Sequence, residues 1–247
     1  MIDFDFGGQT VIVTGGTRGI GAAVSRAFYD AGARVLAIYG GNHQRAEAFV
    51  TDFTDRERMA AHCVDVSDYA AVESFFRELE GTDGSLQVLV NNAGIRRDAV
   101  VGMLPLQDWQ AVLDTNLGGT YAMSKFAVQA MMTNRYGRII NMTSPSGRMG
   151  FAGQANYAAS KAGQVAFAKS LAKEVAKRKI TVNCVSPGFV DTEFIGELSP
   201  EQLKAYRNSV PMKRFAQPQE IAQAVLFLAS EEAAYITGTV LEISGGL

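Results

Sequence analysis

Seven short, almost unbroken apolar runs recur along this chain, and segments with helical periodicity lie between them. The runs fall at 10–13, 34–38, 59–64, 86–91, 137–142, 181–185 and 239–243. Runs of that length without polar alternation suit strands covered on both faces, as in parallel sheets. Helical patterns lie between them at about 20–31, 43–52, 69–80, 106–114, 118–133, 154–178 and 219–229. Strand–helix alternation joined by right-handed crossovers predicts an α/β fold, a Rossmann-type doubly wound parallel sheet of about seven strands with helices on both faces. The 247 residues contain no repeat, low-complexity tract or linker, so one domain over 1–247 is expected.

Composition narrows the function classes. With 47% hydrophobic and 19% charged residues the chain is expected to build a substantial core. A net charge of −2 argues against nucleic acid as a partner. The first seven residues are acidic and lack the basic start and apolar run of a signal peptide, and no uncharged stretch is long enough for a bilayer, so a cytoplasmic location without membrane association is expected. Cys63 and Cys184 both fall in apolar runs and read as buried free thiols, with no metal site.

The segment Thr14-Gly15-Gly16-Thr17-Arg18-Gly19-Ile20-Gly21 directly follows the first strand and opens the first helix. Glycines there permit a tight turn and close approach of backbone to a pyrophosphate, and a helix N-terminus attracts phosphate. The spacing is Gly-x-x-x-Gly-x-Gly. Preference for NAD is usually marked by a carboxylate after the second strand, which holds the ribose 2′-hydroxyl. Here that place reads Ile38-Tyr39-Gly40-Gly41-Asn42. Arg18, with His43 and Arg45 nearby, offers cations for a 2′-phosphate, so NADP(H) is the expected cofactor.

Tyr157-Ala158-Ala159-Ser160-Lys161 sets a phenol and an ammonium four residues apart in a helical segment, on one face. A nearby cation stabilises phenolate, which can turn a tyrosine into a working acid or base. The same pair could also be an ordinary solvated helix surface. The stretch 186–217, with three prolines and a fourth directly after it, is long for a connection and would emerge at the carboxyl edge of the sheet, as a lid over a substrate.

Taken together, the glycine segment, Asn91-Asn92-Ala93-Gly94, Asn116, Ser144, Tyr157-x-x-x-Lys161 and Pro187-Gly188 resemble the short-chain dehydrogenase/reductase family over essentially the whole chain. The resemblance implies a catalytic set. Ser144 would bind a carbonyl oxygen, Tyr157 would protonate it, Lys161 would lower the phenol pKa and bind the nicotinamide ribose, and Asn116 would orient a water chain through Lys161. It also implies cofactor contacts from Gly15, Thr17, Arg18, Gly19, Ile20 and Gly21, with Asp65 and Val66 near the adenine. Asn92, Ala93 and Gly94 would line the central strand, and Pro187, Gly188, Val190 and Thr192 would hold the nicotinamide.

Within the family the resemblance is to reductases of 3-oxoacyl groups carried on acyl carrier protein. It rests on Asn92-Ala93-Gly94-Ile95-Arg96-Arg97-Asp98, Val112-Leu113-Asp114-Thr115-Asn116-Leu117 and Gly153-Gln154-Ala155-Asn156-Tyr157. It implies a homotetramer and carrier-protein docking through Arg135 and Arg178 beside the cleft. Reduction of acetoacetyl-CoA, a ketoreductase of a specialised acyl or polyketide pathway, and a non-catalytic cofactor-binding subunit are the alternatives. An arginine pair stands before Asp98, where one basic residue is more usual.

Overall fold

A computed structural model describes residues 4–81, 85–193 and 199–247. The seven strands are β1 Thr10–Thr14, β2 Arg34–Tyr39, β3 Met59–Cys63, β4 Leu86–Asn91, β5 Gly137–Met142, β6 Ile180–Pro187 and β7 Val240–Ile243. They form one parallel sheet in the order β3-β2-β1-β4-β5-β6-β7. The helices are α1 Gly19–Asp30, α2 His43–Thr51, α3 Tyr69–Glu80, α4 Leu106–Leu113, α5 Gly119–Asn134, α6 Ser146–Met149, α7 Ala155–Val175, α8 Pro200–Ser209 and α9 Pro218–Ala229. No helix among the described residues is long and apolar enough to cross a membrane.

Period-two alternation in the strands feeds two cores. Val11 and Val13 of β1 join Val35, Ala37, Val88, Val90 and Ile140 on one face, under Val24 and Phe28 of α1 and Ile221 and Val225 of α9. Ile12, Leu36, Leu89, Ile139 and Val182 point to the other, under Phe76 of α3, Met123 and Ala127 of α5 and Ala168 of α7. With both faces covered, the strands have no polar side to show, which is why the runs read as continuous.

Strand order reverses between β1 and β4, so the segments leaving their carboxyl ends diverge and open a crevice. This switch point positions everything that follows. Thr14 spans it: its Oγ1 accepts from the backbone N–H groups of Asn92 and Ala93, each at 2.9 Å.

Three expectations are corrected. Cys63 is exposed, because β3 is the edge of the sheet and Cys63 is its last residue; only Cys184 is buried. The sixth strand runs on through Ser186 and Pro187, which stay in register with Glu242 and Ile243 of β7, so the following connection begins later. The predicted helices at 106–114 and 118–133 are joined by a π-turn, Asp114–Gly118, rather than separated. Asp68 caps α3, accepting from the N–H groups of Ala70 and Ala71. Of the lid expected at 186–217, residues 194–198 lie outside the described residues. The rest holds a parallel bridge between Val190 and Ala216 and the helix α8, whose N-terminus is closed by a Ser199–Gln202 capping box.

Candidate active site

The cofactor-side crevice is built by glycines. Gly15 takes φ +62°, a conformation that side chains with a Cβ resist. At Gly21 a Cβ would stand 2.1 Å from the Gly15 carbonyl oxygen, so the turn and the first helix approach closer than any side chain allows. Asn92 locks this turn from across the switch point, its Nδ2 donating to the carbonyls of Thr14 at 2.9 Å and Gly15 at 3.3 Å. The N-terminus of α1 has no side-chain cap and no acidic residue in its first turn, which leaves its N–H groups for an anion. The residues present therefore fit a dinucleotide pyrophosphate.

At the end of β2 the Tyr39 hydroxyl and His43 Nδ1 share a hydrogen bond of 3.0 Å. Arg18 is exposed, and Arg45 is ion-paired with Glu193 from the segment after β6. Thr192, of that same segment, passes within 3.7 Å of where a Gly19 side chain would begin. Asp65 is exposed after β3, its Oδ1 accepting from the backbone and hydroxyl of Ser67, while Val66 beside it is buried. Gly188 packs against Ser244 after β7.

At the carboxyl ends of β4, β5 and α7's first turns, the four residues Asn116, Ser144, Tyr157 and Lys161 come together. Burial raises the Tyr157 pKa, while hydrogen bonding with the Ser144 hydroxyl and the charge of Arg96 pull it down and Asp98 pushes it up. The Lys161 ammonium stands 5.6 Å from the centre of the tyrosine ring, on the same helix face. It is buried, donating to the Met142 carbonyl at 2.7 Å and to Gln164 Oε1 at 3.0 Å, and burial lowers its pKa to about 8. Asn116, fully buried in the π-turn, grips the segment after β4: Oδ1 accepts from Ile95 N–H at 2.8 Å and Nδ2 donates to the Ile95 carbonyl at 3.1 Å. The same Nδ2 donates to Ser160 Oγ at 3.0 Å, tying that segment to α7. π-Turns inside helices often mark functional sites, because the extra residue re-aims a side chain.

Several contributors went unread in the sequence. Arg96 lies over the Tyr157 ring at 5.9 Å from its centre and is ion-paired with Asp98. Asp98 accepts from Gln154 Nε2 at 3.2 Å, and Gln154 Oε1 accepts from the Ser146 hydroxyl at 3.1 Å. Ser146 meets Ser144 at 3.3 Å, so a polar chain runs from the rim arginine to the hydroxyl beside the phenol. The doubled arginine before Asp98 was the available signal. Gln164 gave none beyond being polar within an alanine-rich helix.

Arg135 and Arg178 are exposed and lie near one another, with Arg135 Nη2 donating to the Lys177 carbonyl at 3.4 Å. They sit where α5 and α7 hand over to the starts of β5 and β6, at the opposite edge of the sheet from Ser144 and Tyr157. They are not beside the cleft of their own chain.

Comparison with known proteins agrees with this geometry. Residues 15–247 match the family described as Enoyl-(Acyl carrier protein) reductase. The chain is 40% identical to the 3-oxoacyl-[acyl-carrier-protein] reductase FabG of Aquifex aeolicus, over 97% of each chain. It is 42% identical to FabG of Escherichia coli K12 over 98% of each chain, and 41% identical to that of Vibrio harveyi over 97% of each.

Proposed function

This chain belongs to the short-chain dehydrogenase/reductase family, and from that premise we propose that it reduces 3-oxoacyl thioesters to 3-hydroxyacyl thioesters with NADPH. The observation that carries the reading is the convergence of the Ser144 hydroxyl and the Tyr157 phenol at the end of β5, with the Lys161 ammonium 5.6 Å from the ring.

Bound in the crevice, the reduced nicotinamide supplies hydride. The chain's own groups do the rest. Ser144 donates a hydrogen bond to the ketone oxygen and so places it against the phenol. Tyr157 gives its proton to that oxygen as negative charge develops there, a contribution on the order of 10²- to 10⁴-fold in rate. Lys161 holds positive charge near the phenol and offers a donor to the nicotinamide ribose, and Asn116 keeps the π-turn closed on Ile95. Two hydroxyls converging on one oxygen favour a carbonyl acceptor. Reduction of an enoyl double bond, the reaction in the matched family's description, would place the developing charge on a thioester oxygen but its final proton on carbon, whereas a phenol beside Ser144 suits direct protonation of the acceptor oxygen.

Arg18, His43 and Arg45, with no carboxylate at the end of β2, support NADPH over NADH. Asp65, Val66, Asn92–Gly94 and the 187–192 stretch complete the proposed cofactor contacts, and the connection after β6, up to residue 217, serves as the lid of a single domain spanning 1–247. The similarity to FabG proteins supports acyl carrier protein as the carrier, in a cytoplasmic role in acyl-chain synthesis. A coenzyme A thioester or a specialised polyketide substrate is the alternative. α7 exposes Ala159, Ala162 and Ala166, small residues that permit close helix pairing, which supports a homotetramer. In that assembly Arg135 and Arg178 would serve the cleft of a neighbouring subunit. NADPH oxidation with acetoacetyl-carrier protein, acetoacetyl-CoA and a simple ketone tests the reading; equal rates on all three would remove the carrier-protein assignment.

A further inference from the structure

Gln164 lies one turn beyond Lys161 on α7 and is fully buried. Its Oε1 accepts from Lys161 Nζ at 3.0 Å, while its Nε2 donates to the Asn116 carbonyl at 2.9 Å and to Thr120 Oγ1 at 2.6 Å. Thr120 Oγ1 in turn donates to the same Asn116 carbonyl at 2.7 Å. We propose that Gln164 is a positioning residue that clamps the Lys161 ammonium to the π-turn at Asn116 and so fixes its place beside Tyr157. The proposal rests on the acid/base reading of Tyr157 and Lys161.

A lysine side chain is long and freely jointed, and in a dry site its ammonium goes where acceptors are. Lys161 has two protein acceptors, the Met142 carbonyl from β5 and the Gln164 carboxamide from its own helix. An ammonium has three N–H bonds, so two are committed to the protein and one is left for the cleft. Without Gln164 the ammonium would keep one anchor and could swing away from the ring. The carboxamide also gives the widened π-turn a rigid partner, since Nε2 satisfies the Asn116 carbonyl while Oε1 satisfies the lysine. It links the two without carrying a proton, because the amide neither gains nor loses one in doing so.

The titratable and charged groups facing Lys161 are Tyr157 on its own helix and Cys184 on β6, whose thiol burial pushes up to about 12. β5 adds the Met142 carbonyl, the segment after β4 adds the backbone of Gly94, and the π-turn adds Asn116. Gln164 is thus a neutral acceptor in a site where a charged one would act very differently.

Two variants separate a clamp from a packing role. Gln164→Leu removes the acceptor, so the Lys161 titration, followed by NMR of its side chain in the cofactor-free protein, should move to lower pH. Gln164→Glu, close in shape, adds a negative charge and should move it to higher pH. The alkaline limb of turnover should follow in the same opposite directions, with kcat of Gln164→Leu down roughly ten- to a hundredfold, as small misplacements of reacting groups cost. An unchanged Lys161 titration in folded Gln164→Glu overturns the clamp, as does movement of both variants in one direction. Opposite shifts of the titration with an unmoved rate profile leave the clamp standing and overturn the acid/base reading instead.

Discussion

Lys161 Nζ stands 5.6 Å from the centre of the Tyr157 ring, yet its hydrogen bonds go to the Met142 carbonyl and Gln164. The lysine therefore stands beside the ring without a hydrogen bond to the phenol, and the cation that pulls the phenol pKa down against burial is Arg96. The Lys161 charge is held in a buried place that costs stability, and the functional reading gives that cost a reason.

Burial holds the Lys161 pKa at about 8, below its ordinary 10.5. The unfolded chain therefore binds more protons than the native state between those values, and this group's contribution to stability rises as pH climbs from about 8 to 10.5. At neutral pH the burial of the ammonium costs on the order of 3 kcal/mol. Lys161→Met should raise the melting temperature at pH 7 by the equivalent of about 1–3 kcal/mol while abolishing most turnover. Calorimetry across pH 7 to 10 checks it; a melting temperature below that of the native protein contradicts it.

Arg96 and Asp98 act on Tyr157 with opposite signs. Arg96→Gln should raise the phenol pKa and carry the phenol's own fall of kcat/KM, which lies alkaline of the Lys161 limb, to higher pH. Asp98→Asn should carry it to lower pH. The two movements should be opposite in direction, as for charges of opposite sign near one phenol. Rate profiles of both variants test this, and a shared direction would show that the ion pair acts only by holding the loop.

Gly40 has open space where a side chain would project, at the end of β2. Gly40→Asp places there the carboxylate that holds a ribose 2′-hydroxyl and repels a 2′-phosphate. The ratio of kcat/KM for NADPH over NADH should fall roughly tenfold or more, in line with one charged contact. Steady-state kinetics with both cofactors decides it.

Gly21→Ala puts a methyl group into the Gly15 carbonyl. The glycine turn must open, so the variant should lose about 1–3 kcal/mol of stability and bind NADPH at least tenfold more weakly. Denaturant unfolding and fluorescence titration of NADPH measure the two effects.

The sheet was legible because strands buried on both faces write themselves as unbroken apolar runs, and α3, β4 and β5 fall within their expected bounds. The π-turn was not, because one extra residue in a helix barely disturbs hydrophobic periodicity over ten residues. Cys63 was misread as buried because an apolar run does not say which strand ends up at the edge. Gln164 was invisible for a different reason: a polar residue on a helix reads as surface until the π-turn is seen opposite it. Arg135 and Arg178 were placed beside the cleft, whereas helices that return to the starts of strands carry their last residues to the opposite edge.

Tyr157→Phe offers the most direct measurement. The variant loses only the phenolic oxygen, and NADPH binding should stay within about threefold of the native protein while oxidation of NADPH by acetoacetyl-carrier protein falls by on the order of 10² or more. Native-like turnover in a folded, NADPH-binding Tyr157→Phe protein would contradict the assignment of Tyr157 as the acid.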